Sequence, residues 1–210
     1  MIVPSMNSEE IANEIIKDYE IVMRKAKYLT KSLRRAAIKS RDKHLHRISD
    51  YKSKQKNDWL IDMDYNMGDP LILVAVYFLN EGRLNAMVVQ SDKKTLIHYS
   101  SHFLERFNER FLKQDNISKL DLLKHFLPQN NVATYDIDII PDVGNYKNRV
   151  FGRFKDGIGL GVFEQLRNSK MMFLKTYISP EMIKENQKKE YESITEAYKE
   201  HWDEFFKIKH

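Results

Sequence analysis

The 210-residue chain contains no cysteine. Disulfides, thiolate nucleophiles and cysteine-built zinc sites are thereby excluded, and a reducing compartment is compatible with the sequence. Long apolar runs are missing too. The longest, over residues 71–79, falls far short of the roughly 20 residues a membrane-crossing helix needs. Residues 1–10 hold no apolar run between a basic segment and a small-residue cleavage site, so no secretion signal is expected and the chain reads as soluble and cytoplasmic, with no membrane partner. There are no internal repeats or low-complexity tracts. Residues 39–57 lack glycine and proline, so helix is permitted there. A chain of this length can bury a sizeable apolar core without disulfide or metal staples.

Charge is plentiful and unevenly spread. The net value is +5, yet residues 24–56 carry thirteen Lys or Arg against two acids, Asp42 and Asp50, a local +11 that leaves −6 for the rest. A polyanion rewards such concentration, because each neutralised phosphate releases counterions. Arg24, Lys27, Lys31, Arg34, Arg35, Lys39 and Arg41 are therefore candidate nucleic-acid contacts, RNA being the expected partner. The alternative is a solvated basic helix face.

The apolar residues Ile11, Ile15, Tyr19, Val22, Ala26, Leu29 and Leu33 recur at steps of four and three, the stripe of a long amphipathic helix. Asn7 and Glu10 supply its capping box. The seam can pack on the chain's own sheet or on a partner protein's helix; seven positions are few for a coiled coil, so packing within the chain is expected. Residues 39–57 read as a second short helix and a linker. From Trp59 the period becomes two: strands are expected at residues 59–66, 71–79 and 84–90, joined by short turns at Gly68-Asp69-Pro70 and Asn80-Glu81-Gly82 into an antiparallel meander. Residues 95–99 lead into a helix opening on Ser100-Ser101, and a second helix, 118–126, ends before Pro128. An acidic stretch, 129–145, reads as a long loop holding one short strand at residues 132–140. Strands follow at 149–154, 158–165 and 171–178. Ser179 and Pro180 then start a charged C-terminal helix reaching about residue 206. The expectation is α+β: an antiparallel sheet with a central helix pair and long N- and C-terminal helices, divided into a basic helical region 1–57, an α+β core 58–180 and the helix 181–210.

His102, Arg106 and Arg110 are spaced by four, which stacks them on one face of an α-helix at about 6 Å per step. Phe103, Phe107 and Phe111 form the neighbouring stripe, expected to be buried while the arginines face solvent. The positive end of the helix dipole and two arginines favour a neutral imidazole, as a general base requires. Guanidinium groups fork onto phosphate oxygens. Base and clamp together fit cleavage of RNA through attack by the ribose 2′-hydroxyl, a route needing no metal or cofactor. The alternative is a surface histidine beside arginines paired with Glu105 and Glu109. His44 and His46 lie two apart and would not share a helix face. Asp62, Asp64 and Asp69 lack the closing glutamate of a calcium loop. Residues 156–161, with three glycines, read as a hairpin.

The order strand, helix with SSHFLERFNER, second helix, antiparallel strands and a last strand ending Lys175-Thr176-Tyr177 resembles the barnase, EndoU, colicin and RelE ribonuclease group. The likeness is to its small bacterial domains with a histidine and spaced arginines at the helix start and a late threonine or serine. It spans about residues 94–180. The resemblance implies a metal-independent, often toxin-like endoribonuclease with His102 as base, Arg106 and Arg110 as phosphate clamp and Thr176 as the hydroxyl. Acid repels phosphate, so on this reading Asp136, Asp138 and Asp142 lie away from the site.

Overall fold

The computed structural model describes residues 1–66, 70–130, 133–142, 145–185 and 188–207. The fold is α+β, with four α-helices and nine strands among the described residues, and every strand register described is antiparallel. The chain forms two compact units, residues 1–96 with 166–169, and residues 97–165 with 170–210.

In the first unit, α1 (Ser8–Ser40) begins at the expected capping box: Asn7 Oδ1 accepts from the Glu10 amide at 3.0 Å and Glu10 Oε2 from the Asn7 amide at 2.9 Å. It stops at Arg41, whose left-handed backbone (φ 60°) returns its N–H to the carbonyls of Ala37 and Ile38. The buried seam is Ala12, Ile15, Asp18, Val22, Ala26, Thr30, Leu33 and Ala37, packed on the sheet, chiefly on the strands Asp58–Asn66 and Leu71–Asn80. Two polar members are hydrogen-bonded, with Asp18 Oδ1 left without a partner among the described residues. Thr30 Oγ1 donates to the Ala26 carbonyl at 2.9 Å, and Asp18 Oδ2 accepts from Trp59 Nε1 at 2.9 Å and Asn57 Nδ2 at 3.0 Å.

The sheet of this unit is a meander of β1 (His44–Lys52), β2 (Asp58–Asn66), β3 (Leu71–Asn80) and β4 (Arg83–Val89), neighbours in that order. Glu81 and Gly82 both have positive φ, 50° and 71°, which a two-residue hairpin needs for its twist to match the strands. The expected basic helical region 1–57 is helical only to Ser40. Residues 44–52, read as helix and linker, form a strand instead, because full pairing with β2 satisfies their backbone where their own sequence shows no clear period. The expected turn at Gly68-Asp69 lies outside the described residues.

The second unit comprises β5 (Thr95–Tyr99, within which the division falls), α2 (Ser101–Phe107), α3 (Lys119–Gln129), β6 (Thr134–Asp142), β7 (Asn145–Arg153), β8 (Ile158–Gln165), β9 (Lys170–Ile178) and α4 (Lys188–Lys207). The strands lie in the order β5-β9-β8-β7-β6. The short strand expected at residues 132–140 is β6, and it pairs with β7 along nine positions because β7 already starts at Asn145, where loop was expected. Pro128 lies inside α3 rather than beyond it, in the last turn, and Ser179-Pro180 opens only a single 3₁₀ turn, Pro180–Met182, before α4.

Strand alternation gives this sheet two different apolar faces. On one, Tyr99, Phe103, Phe107, Phe126, Phe154 and Tyr177 interlock through edge-to-face and tilted rings 5.0 to 6.3 Å apart. A Cβ at Gly159 would sit 2.8 Å from the Phe154 ring, so only glycine lets that ring lie on the strand. On the opposite face Phe151, Ile158 and Ile178 are buried with Ile194 of α4, and Leu160 and Tyr191 pack against them.

Candidate nucleic-acid interface

The face of α1 turned away from its buried seam is basic. Arg24, Lys27, Lys31, Arg34, Arg35, Lys39 and the cap residue Arg41 are all exposed, and none forms an ion pair among the described residues. Helical geometry explains the grouping. With 3.6 residues per turn, steps of three and four keep residues 24, 27, 31, 34 and 35 on one side while residues 22, 26, 30, 33 and 37 face the sheet. From Arg24 to Arg41 the ridge runs about 25 Å at 1.5 Å per residue.

The second set of candidates is only partly assembled. Ser100 caps α2, accepting the Phe103 amide at 3.2 Å, and His102 is exposed in the first turn. Arg106 Nε donates to His102 Nε2 at 3.4 Å, and its Nη1 lies 2.5 Å from Glu109 Oε2, so His102 and Arg106 are brought together with a carboxylate on the guanidinium. After Phe107 the helix widens into a π turn, Asn108–Leu112. The four-residue repeat is lost there, and both stripes change course. Phe103 and Phe107 are fully buried as expected, whereas Phe111 is 39% exposed. Arg110, expected to face solvent, is half-buried and donates from Nη1 to the Tyr177 carbonyl of β9.

Thr176 is not brought to His102. It is paired with Leu160, directly opposite partners share a face, and Leu160 belongs to the α4 side. The neighbouring Tyr177 points the other way, against Phe103 and Phe107. Period two in β9 thus sets Thr176 and α2 on opposite faces. Asp136 is exposed on β6; the side chains of Asp138 and Asp142 lie outside the described residues.

One pair of histidines gains a relation that a helix would forbid. On β1, His44 and His46 share a face, with His44 Nε2 2.7 Å from Asp64 Oδ1 and His46 Nε2 2.5 Å from Asp62 Oδ1. Burial raises the Asp62 carboxyl above the usual carboxylate range, against the opposing pull of His46. The contacts are two separate pairs. Among the described residues no three His, Asp or Glu converge on a point where a metal could bind. Nor is any described helix long and apolar enough to cross a membrane. No family model, curated protein or solved structure matches this chain.

Proposed function

We propose that this protein binds nucleic acid through the basic face of α1. The observation that carries the reading is a ridge of six exposed cations on one side of α1 and a seventh, Arg41, at its C-cap, none paired with a carboxylate among the described residues. Cations already neutralised by neighbouring acids gain little from phosphate; free ones gain the entropy of released counterions. For single strands the salt slope is about −0.7 per phosphate contact, so seven contacts bound it at about −5. The test is fluorescence anisotropy of a labelled single-stranded RNA titrated with protein from low to physiological salt. Replacing Lys31, Arg34 and Arg35 together by Gln is expected to flatten the slope by about 2. A slope unchanged in that variant would reduce the ridge to a solvated surface.

A second reading, metal-independent cleavage of RNA at His102, is favoured by the contact between Arg106 and His102. Here the imidazole takes the proton and the guanidinium holds the phosphate once substrate displaces Glu109 from Arg106 and Arg106 from His102 Nε2, with Arg110 and Thr176 outside the pair. On this reading RNA is cut in the presence of chelator and His102→Ala abolishes cutting, since general-base catalysis is worth roughly 10² to 10⁴ in rate. Cleavage that survives in His102→Ala would exclude it.

A further inference from the structure

Tyr28 stands in the middle of the basic ridge and is 68% exposed, the most exposed large apolar side chain among the described residues. Its neighbours on the helix surface are Arg24 one turn before it and Lys31 one turn after it. Lys25 Nζ lies 5.5 Å from its ring centroid. Among the described residues no packing calls for an aromatic ring there, because the seam of α1 is on the other side.

We infer that Tyr28 is a stacking platform for an unpaired nucleobase, with Arg24 and Lys31 holding the phosphates on either side; this rests on the proposed function of the ridge. A base has two π faces and a tyrosine ring offers a matching flat surface, so stacking works on any base that is not already inside a duplex. Lys25 lies over one face of the ring, and a stacking base would take the other face or displace it. Duplex is the poorer fit. In a duplex the faces of the bases are already stacked on one another, so an exposed ring has no open base to meet. An anionic membrane is also a poorer fit: interfacial helices sink a broad apolar face into lipid, and here that face is covered. Tyr28 and Ile38 are the large apolar groups exposed on α1.

The experiment compares wild type, Tyr28→Ala and Tyr28→Trp by anisotropy. The probes are a fluorescein-labelled single-stranded RNA, the same strand as a duplex, and an abasic strand of equal charge; vesicles containing phosphatidylserine serve as a fourth. Base stacking of ordinary strength predicts that Tyr28→Ala weakens single-strand binding about five- to hundred-fold with the salt slope unchanged. Tyr28→Trp should retain it, and duplex and abasic binding should be the same in all three proteins. Circular dichroism melting is expected to be unaltered, since the ring is exposed. If single-stranded RNA is bound with a steep salt slope but Tyr28→Ala binds as well as wild type, or loses duplex and abasic strand equally, the stacking role is overturned while the ridge stands. Tighter, Tyr28-dependent binding to the vesicles overturns it in favour of lipid. If no nucleic acid binds with a salt slope, both the ridge and the platform fall together.

Discussion

Asp18 is a carboxylate with no solvent exposure in the middle of α1, held by the Trp59 indole and the Asn57 amide. Truncating it leaves the Trp59 indole N–H without its acceptor and the Asn57 amide with only Glu14 Oε1 at 3.4 Å, and an unsatisfied buried donor typically costs about 1 to 3 kcal/mol. Asp18→Ala is therefore expected to lower the urea midpoint clearly while leaving the cations of α1 in place. Gly159 is constrained from the opposite direction. A methyl group there meets the rings of Phe154 and Phe103 at 2.8 and 3.0 Å, and Gly159→Ala is expected to destabilise by about 1 to 3 kcal/mol through overpacking, read from the same denaturation curve. His98 of β5 packs edge-on against Phe173 with ring centroids 4.4 Å apart, and burial pulls its imidazole down to about 3. A histidine whose folded value is depressed supports the fold only while neutral. Its contribution is complete above the ordinary value of about 6.5 and is lost as pH falls toward 3. Urea midpoints measured across that window should drop for wild type and drop less steeply for His98→Phe.

At the scale of elements, α1 carries the cations of the proposed interface, and its own start is set by one residue. Asn7→Ala removes half of the capping box and is expected to cost about 1 kcal/mol. Nucleic-acid affinity, measured well below the melting temperature, should be unchanged, because the cap lies nearly five turns from Arg24. The short α2 shows the opposite behaviour. Its passage into a π turn at Asn108 sends Arg110 to the Tyr177 carbonyl and leaves Phe111 at the surface. β1 depends on its neighbour: with no apolar stripe of its own, it is held by the β2 register and by the two His–Asp contacts of one face.

For the whole molecule, the uneven charge matters more than its sum. A local +11 in a chain of +5 creates a directional field that accelerates encounter with a polyanion and is screened within about 10 Å at 0.1 M salt. The association rate constant for a single-stranded oligonucleotide, measured by stopped flow, is thus expected to fall at least several-fold between 50 and 200 mM salt. The Lys31, Arg34 and Arg35 to Gln variant should show a weaker dependence with an unaltered melting temperature, since none of the three takes part in an ion pair among the described residues.

Much of this was legible from residues alone. The three-four spacing of apolar side chains defined α1, the Asn7–Glu10 pair its start, and the change to period two at Trp59 the meander, because these are local properties of a helix or strand. The basic ridge was legible for the same reason. Other features needed the tertiary structure. Residues 44–52 carry no strong pattern and become a strand by pairing with β2, a non-local contact. Residues 145–148 look like the end of an acidic loop until they pair with β6, whose own strand pattern was legible. Spacing by four promised one face for His102, Arg106 and Arg110, but that promise holds only for an uninterrupted α-helix, and the π turn broke it. Which sheet face Thr176 occupies depended on its register with Leu160, and the exposure of Tyr28 on what covers the rest of α1. Local periodicity decides which elements form; only packing and register decide which side chains meet.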